Sequence, residues 1–226
     1  MTGTEALIAQ LAAGAGPVHR LRPVWQRVAL WLALVAMLFA VLLGLHGPRG
    51  DLGASLADPR FLMSLGGALA TGVLGAFAAL LAAQPDRGHG WLLLPLPAAA
   101  LWLGTIGYGC LTDWVRIAPG GMQLGETARC FATLLLLGVP GSGAMLWLLR
   151  RAAPLRLEPA LGEGALAVAA LTASGLMLLH AIAASALVLL WNFGAVLLLI
   201  SADVVAGRRL LRRSAPPCGA APRPTR

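Results

Sequence analysis

Long apolar runs separated by short polar segments dominate the chain. They cover residues 28–45, 61–83, 91–111, 131–149 and 165–206. About 20 apolar residues in a helix span the hydrocarbon core of a bilayer, and a helix satisfies its own backbone hydrogen bonds there. The pattern therefore predicts an all-α, polytopic membrane protein whose membrane domain covers residues 28–206.

The last apolar run, 165–206, is too long for a single crossing. At 1.5 Å per residue one helix of this length would be about 60 Å long, roughly twice the thickness of the hydrocarbon core. Two helices, over 165–182 and 186–206, fit the bilayer better, although no glycine, proline or charged residue marks the turn near Ala183–Ser185. The prediction is six transmembrane helices.

Glycines at helical spacing predict faces where two helices can approach each other closely. They are Gly66, Gly67, Gly72 and Gly75, and again Gly104, Gly107 and Gly109.

The distribution of arginine supports an even number of crossings. If the N-terminus is cytoplasmic, 13 of the 17 basic residues fall inside, and 4 (Arg49, Arg60, Arg116 and Arg129) fall in outer loops. This is the excess that the positive-inside rule expects. Both termini are therefore predicted to be cytoplasmic, with a segment over 1–27, which shows no signal-peptide cleavage site, and a basic, disordered tail over 207–226.

The composition agrees with one membrane domain and gives no sign of an enzyme. Apolar residues make up 58% and charged residues 12%, against about 25% charged in soluble domains. No nucleophile–histidine–acid set, zinc motif or phosphate-binding loop is present. We therefore expect no catalysis, no cofactor and no direct binding of nucleic acid. Topology and attraction to anionic lipid account for the formal net charge of +8.

The first residues predict a short amphipathic helix. Thr2 and Glu5 have the spacing of a capping box, and Gly16-Pro17 ends the helix. Leu7, Ile8, Leu11, Ala12 and Ala15 fall on one face. Such a helix either lies on the membrane surface or docks into the groove of a cytoplasmic partner; spacing alone leaves both interpretations open.

A group of thiol and imidazole side chains is predicted at the outer face. Cys110 ends the third predicted helix, Cys130 begins the fourth, and His180 lies near the end of the fifth. Two such thiols can form a disulfide or, with the imidazole, bind a thiophilic metal. Cysteines also pack as small apolar residues, so this cluster is only a candidate sensing site.

Short sequence pieces along the whole membrane domain resemble one family. They are Leu7-Ile8 with Leu11; Leu21-Arg22-Pro23; Asp58-Pro59-Arg60-Phe61-Leu62; Trp91-Leu92-Leu93-Leu94-Pro95; Gly109-Cys110-Leu111; Cys130; Leu179-His180; Trp191; and Arg208-Arg209-Leu210-Leu211-Arg212. In order and spacing they resemble the NrsF-type membrane anti-sigma factors, six-helix proteins that hold an ECF-type sigma factor inactive at the bacterial inner membrane.

The resemblance implies a partner, a docking segment and a sensing site. The partner would be an ECF-type sigma factor, bound by residues 1–27 through Leu7, Ile8 and Leu11 with Arg20 and Arg22 beside them, and released on envelope, redox or metal stress. The family's second sensing cysteine follows the helix-five histidine, but this chain has Ala181 there. Either Cys110 substitutes for it, or sensing through this pair is lost.

Two other classes of protein also fit the apolar pattern. One is a small transporter or exporter of a hydrophobic or metal cargo, for which Pro95, Pro97 and Pro140 could break helices to form a path. The other is a structural membrane protein without a signalling role.

The arginine distribution predicts the result of reporter fusions. Fusions after Arg213 and within 150–160 should report a cytoplasmic position, and fusions within 46–60 and 112–129 a periplasmic one, because cytoplasmic loops retain the arginine excess. Alkaline phosphatase and green fluorescent protein activities give opposite signals for the two sides. A periplasmic C-terminus would rule out six crossings.

Overall fold

The computed structural model describes residues 2–14, 22–84, 88–113, 124–152 and 157–179, with 201, 202, 205 and 209. Within these ranges all regular elements are helical. The α-helices are α1 Thr2–Ala13, α2 Val24–His46, α3 Leu52–Leu56, α4 Pro59–Ala82, α5 Leu96–Asp113, α6 Leu124–Ala152 and α7 Leu157–Leu179. A 3₁₀ helix, His89–Leu93, precedes α5. The all-α prediction is thus confirmed for the described chain.

Five segments of the described chain are long and apolar enough to cross a membrane. They are Val24–His46, Pro59–Ala82, Gly90–Gly107, Phe131–Ala152 and Glu158–Leu179. Their number and length indicate a membrane protein. The sixth predicted helix and the turn before it lie outside the described residues apart from isolated positions, so six crossings and cytoplasmic termini stay predictions.

Two helices begin earlier than the apolar runs suggested. The helix α2 starts at Val24 rather than 28, and α7 starts at Leu157 rather than 165. A charged residue in a first turn interrupts an apolar run but not a helix, because arginine and glutamate are good helix formers. Pro159 is also tolerated there, since the first turn lacks an intrahelical acceptor for its missing N–H.

The contact between α4 and α7 is built on glycine. A Cβ atom added to Gly72 would lie 2.5 Å from Cγ of Leu171, and one added to Gly75 would lie 3.3 Å from Cβ of Ala167. The two helices are antiparallel, because the residue number rises along α4 where it falls along α7. The close approach predicted for these glycines is confirmed, and it lets the two backbones gain dispersion contacts along their length.

The helix α6 packs on another side of α7 in the same manner. A Cβ atom at Gly164 would lie 3.1 Å from Cγ of Met145, and one at Gly175 would lie 2.5 Å from Cδ1 of Leu137. The helix α2 closes the group by packing against α6, where the Trp31 indole donates a hydrogen bond to the carbonyl of Gly141 at 3.0 Å. The buried core therefore surrounds α7.

The other predicted small-residue contacts are not found among the described residues. Added Cβ atoms at Gly66, Gly104 and Gly107 would meet nothing within 4 Å. The helix α5 instead contacts α4 through Trp102, whose backbone nitrogen lies 3.1 Å from the position of a Cβ added at Gly67. Spacing alone identified the small residues but not which face of each helix is covered.

The packing predicts a contrast between two glycines of α4. Gly72→Leu should destabilise the folded protein by about 1–3 kcal/mol, because the new side chain overlaps Leu171. Gly66→Leu adds the same side chain where there is open space and should leave stability nearly unchanged. Unfolding of both variants in mixed detergent, followed by circular dichroism, gives the two free energies. Equal losses would contradict the described α4–α7 contact.

Candidate functional sites at the two ends of the bundle

The N-terminal helix α1 leaves its apolar face uncovered. Leu7, Ile8 and Leu11 are 54%, 59% and 67% exposed, and every described residue from 3 to 14 is exposed. The helix begins at Thr2 and ends at Ala13, as its start and stop signals predicted within a few residues. A helix with three large apolar side chains in solvent provides the anchors for either a membrane surface or a protein groove.

Of the two arginines in the predicted docking set, the structure describes Arg22 and not Arg20. Arg22 is exposed and lies just before Pro23, which precedes the first turn of α2. Arg20 lies outside the described residues. The predicted docking set is therefore described for its apolar members and for one of its two cations.

The predicted cytoplasmic end of the bundle contains a buried cation that the sequence interpretation missed. Arg27 was assigned to the N-terminal segment, but it lies in the first turn of α2 and is 5% exposed. Its Nη2 donates a hydrogen bond to the carbonyl of Leu148, close to the end of α6. A cation is favoured at a helix C-terminus because carbonyl groups point outward there. An earlier start for α2 would have revealed this position.

Glu163 is an acidic residue that the apolar runs left outside the predicted helices. It lies inside the candidate span Glu158–Leu179, and its Oε2 is buried without a hydrogen-bond partner. The carboxylate was overlooked because the apolar run appeared to start after it. Its backbone carbonyl lies 3.3 Å from the position of a Cβ added at Gly75, so it belongs to the α4–α7 contact.

The predicted sensing residues are described only in part. Cys110 lies near the end of α5, and Cys130 lies inside α6, which begins at Leu124 rather than near 131. The side chains of both cysteines, and His180 with the following Ala181, lie outside the described part of the structure. Among the described residues no group of three or more histidine, cysteine or acidic side chains could hold a metal ion.

The loop between α2 and α4, at the predicted outer end, contains an ordered ion pair. The Nε and Nη2 atoms of Arg49 donate hydrogen bonds of 2.6 Å to the two carboxylate oxygens of Asp51. Hydrogen bonding to this guanidinium holds the pKa of Asp51 below its ordinary value, and the same bond raises the pKa of Arg49. Asp58 caps α4 by accepting from the N–H of Arg60 at 3.0 Å.

The five apolar helices of the described chain define a membrane protein. A search against known families gives one that is described as "Negative regulator of sigma F", NrsF, and it matches residues 11–212. The chain belongs to the NrsF family. The matched range starts at Leu11 in the last turn of α1, so Leu7 and Ile8 precede it.

A curated relative agrees with this assignment. The protein named "Probable anti-sigma-F factor NrsF" from Azospira oryzae is 32% identical over 159 residues, covering 68% of this chain and 72% of the relative. No solved structure matches this chain. The family implies a regulatory protein with a sigma factor as its partner.

The ion pair of the outer loop predicts a pH dependence. Because the pKa of Asp51 is lowered in the folded protein, the pair should be complete above the ordinary value of 3.8 and lost only as the pH falls through the depressed value. Carbon-detected NMR of labelled aspartate should show Asp51 still mostly ionised at pH 3.8, where an aspartate with the ordinary pKa is half protonated. In Arg49→Gln its pKa should rise toward the ordinary value; an Asp51 signal that titrates above pH 4 in the unchanged protein contradicts the pair.

Proposed function

We propose that this chain is a membrane-bound anti-sigma factor of the bacterial inner membrane that sequesters an ECF-type sigma factor and releases it on envelope, redox or metal stress. The family match over residues 11–212 is the observation that carries the proposal. The five apolar helices support a membrane location, and the uncovered α1 supports a protein partner.

The proposed docking element is α1. Leu7, Ile8 and Leu11 are spaced to enter an apolar groove, as amphipathic helices do when they bind a protein. Arg20 and Arg22 follow the helix and would pair with acidic groups at the rim of that groove. A helix on the membrane surface would use the same face, so docking would lift α1 from the lipid onto the partner.

The charge of the chain limits where the partner can contact it. The formal net charge is +8, and Arg22, Arg150 and Arg151 lie at the same end of the bundle as the start of α2. A sigma factor binds DNA through basic surfaces, which this face would repel. The binding surface of the sigma factor is therefore proposed to be an apolar groove bordered by acidic residues.

Docking through α1 predicts that Leu11→Asp abolishes sigma-factor binding. A carboxylate forced into an apolar groove costs several kcal/mol, while a complex with a micromolar Kd is worth about 8 kcal/mol. Binding of the purified sigma factor to the full-length protein in lipid nanodiscs, followed by fluorescence anisotropy, measures the loss.

The matched control is Ala9→Asp. Ala9 is exposed, and at 100° per residue it lies on the side of α1 opposite to Leu11. The Ala9→Asp substitution introduces the same charge and should keep the Kd for the sigma factor within about twofold of that of the unchanged protein. Equal Kd values for Leu11→Asp and the unchanged protein would move the binding surface to the 150–164 region or the C-terminal tail.

The proposed sensing site consists of Cys110, Cys130 and His180 at the outer end. The two cysteines lie on consecutive helices, α5 and α6. A disulfide between them requires Cα atoms within about 7 Å; alternatively, both thiolates with His180 would bind a thiophilic metal. Either event would draw α5 and α6 together at that end. Ala181 leaves Cys110 as the partner proposed for Cys130.

Linked sensing predicts joint protection of the two thiols. After diamide or cadmium treatment of intact cells, a membrane-impermeant maleimide should label neither Cys110 nor Cys130, while in Cys130→Ser the remaining Cys110 should label freely. Cys218, in the predicted cytoplasmic tail, serves as the unlabelled control. An induced response that persists in Cys110→Ser and in Cys130→Ser would show that these thiols do not sense the signal.

A further inference from the structure

Arg49 joins the loop after α2 to the end of α7. Its backbone N–H donates to the carbonyl of Leu178 at 3.3 Å, and its Nη1 donates to the carbonyl of Met177 at 3.3 Å. Both carbonyls belong to the last described turn of α7. One residue that is distant in sequence therefore contacts two carbonyls of α7.

The guanidinium of Arg49 is fixed from two further directions. Asp51 accepts two hydrogen bonds of 2.6 Å from it, and the ring of Phe61, in the first turn of α4, lies 5.5 Å from its Cζ. The Arg49 side chain is 13% exposed, while that of Asp51 is 51% exposed. A bidentate contact with a carboxylate fixes the plane of the guanidinium. The Nη1 atom is therefore directed at α7 rather than free to rotate.

The backbone before Arg49 is shaped for this contact. Gly47 follows the last residue of α2 with φ of +72°, in the left-handed region that glycine adopts without strain. Its N–H donates to the carbonyl of Leu43 at 2.9 Å, and Gly47 is the C-cap of α2. The chain then turns toward α7, so the loop after α2 contacts α4 and α7 through the Arg49 side chain.

We propose that Arg49 is a positioning residue that holds α7 in the arrangement that binds the sigma factor, and that its release from α7 is the step by which the outer end acts on the partner. This inference rests on the proposed function. We call Arg49, Asp51, Phe61 and the carbonyls of Met177 and Leu178 the Arg49 latch.

The latch can affect the predicted cytoplasmic end of the bundle because it binds α7, which extends to that end. The same helix passes through the glycine contacts with α4 and α6 and begins at Leu157, directly after the loop that follows α6. At Gly75 the contact is with Ala167 and has no large interlocking side chain, whereas the Leu171 side chain, which packs against Gly72, has to shift when α7 moves along its axis. When the latch opens, α7 can move relative to α4, and its first turn moves with it. In the sequence, His180 of the proposed sensing site directly follows Leu179, the last described residue of α7.

The test compares two substitutions in full-length protein in lipid nanodiscs, with the sigma factor as the ligand. Arg49→Met removes all the donors of the side chain and should raise the Kd for the sigma factor at least tenfold. Arg49→Lys keeps one charged donor group and should raise it less. Asp51→Asn should also weaken binding, whereas Asp58→Asn, in the same loop, should not, since asparagine still caps α4 and the latch does not include it.

An engineered disulfide between α4 and α7, called the staple, distinguishes a loss of binding caused by movement of α7 from one caused by general destabilisation. The cysteines of Gly75→Cys and Ala167→Cys would face each other across α4 and α7, where the corresponding Cβ positions lie 3.3 Å apart, close to the 3.5–4.5 Å range of a disulfide. In a background with the natural cysteines replaced by serine, oxidation of this pair should return the Kd of Arg49→Met to within about twofold of the unchanged protein, and reduction should reverse the effect.

A second readout does not depend on the partner. The rate at which a maleimide labels Leu178→Cys in nanodiscs should rise in Arg49→Met and stay low in Asp58→Asn. Unchanged sigma-factor affinity in Arg49→Met would overturn the latch and leave the proposed function standing. Failure of the staple to restore binding would overturn it as well. If the unchanged protein binds no sigma factor while the labelling rate still depends on Arg49, the proposed function fails, and the latch loses its role in release.

Discussion

In a bilayer the packing of α7 against α4 and α6 depends on glycine, because lipid chains are as apolar as leucine and supply no hydrophobic force between helices. Gly72, Gly75, Gly164 and Gly175 all lie where an added Cβ would meet a neighbouring side chain at 3.3 Å or less. The described bundle is therefore held by many small dispersion contacts along one central helix. The direction and depth of α7 fix the positions of the groups at both of its ends.

Two arginines make polar contacts near opposite ends of the bundle. At the predicted cytoplasmic end Arg27 is bound to the carbonyl of Leu148, and at the predicted outer end Arg49 is bound to carbonyls of α7. Both arginines donate to carbonyls near the last described residues of a helix, but of the two only Arg49 also has a carboxylate partner. The two ends are linked through the length of α7, and the proposed docking helix α1 precedes α2 at the end where α7 begins.

The sequence predicted the kinds of elements well and their contacts less well. Apolar runs identified the five described spans because a bilayer demands about 20 apolar residues in each. The starts of α2 and α7 were predicted late because Arg27 and Glu163 looked like the borders of apolar runs. Helical spacing found Gly72 and Gly75, yet it gave Gly104 and Gly107 a role that no described neighbour supports, since the choice of covered face is a property of the whole bundle.

The sequence also predicted the candidate sites only in part. Periodicity identified the apolar face of α1, and its exposure agrees with a role in docking. Arg49 was counted as one of four outer arginines, and nothing in its local sequence shows that α7 lies beside it. That contact joins residues separated by 128 positions, and only the folded chain brings them together. The available sequence signal was Asp51, two residues after Arg49. It indicates an ion pair but not the contact of Arg49 with α7.

The most direct test of the central claim is purification of the full-length protein from its own membranes in a mild detergent, with quantitative mass spectrometry of what remains bound. An ECF-type sigma factor should be retained in near-equal amount and should be lost when Leu11 is replaced by aspartate. Retention of the same proteins by the unchanged chain and by Leu11→Asp, with no sigma factor among them, would contradict the account.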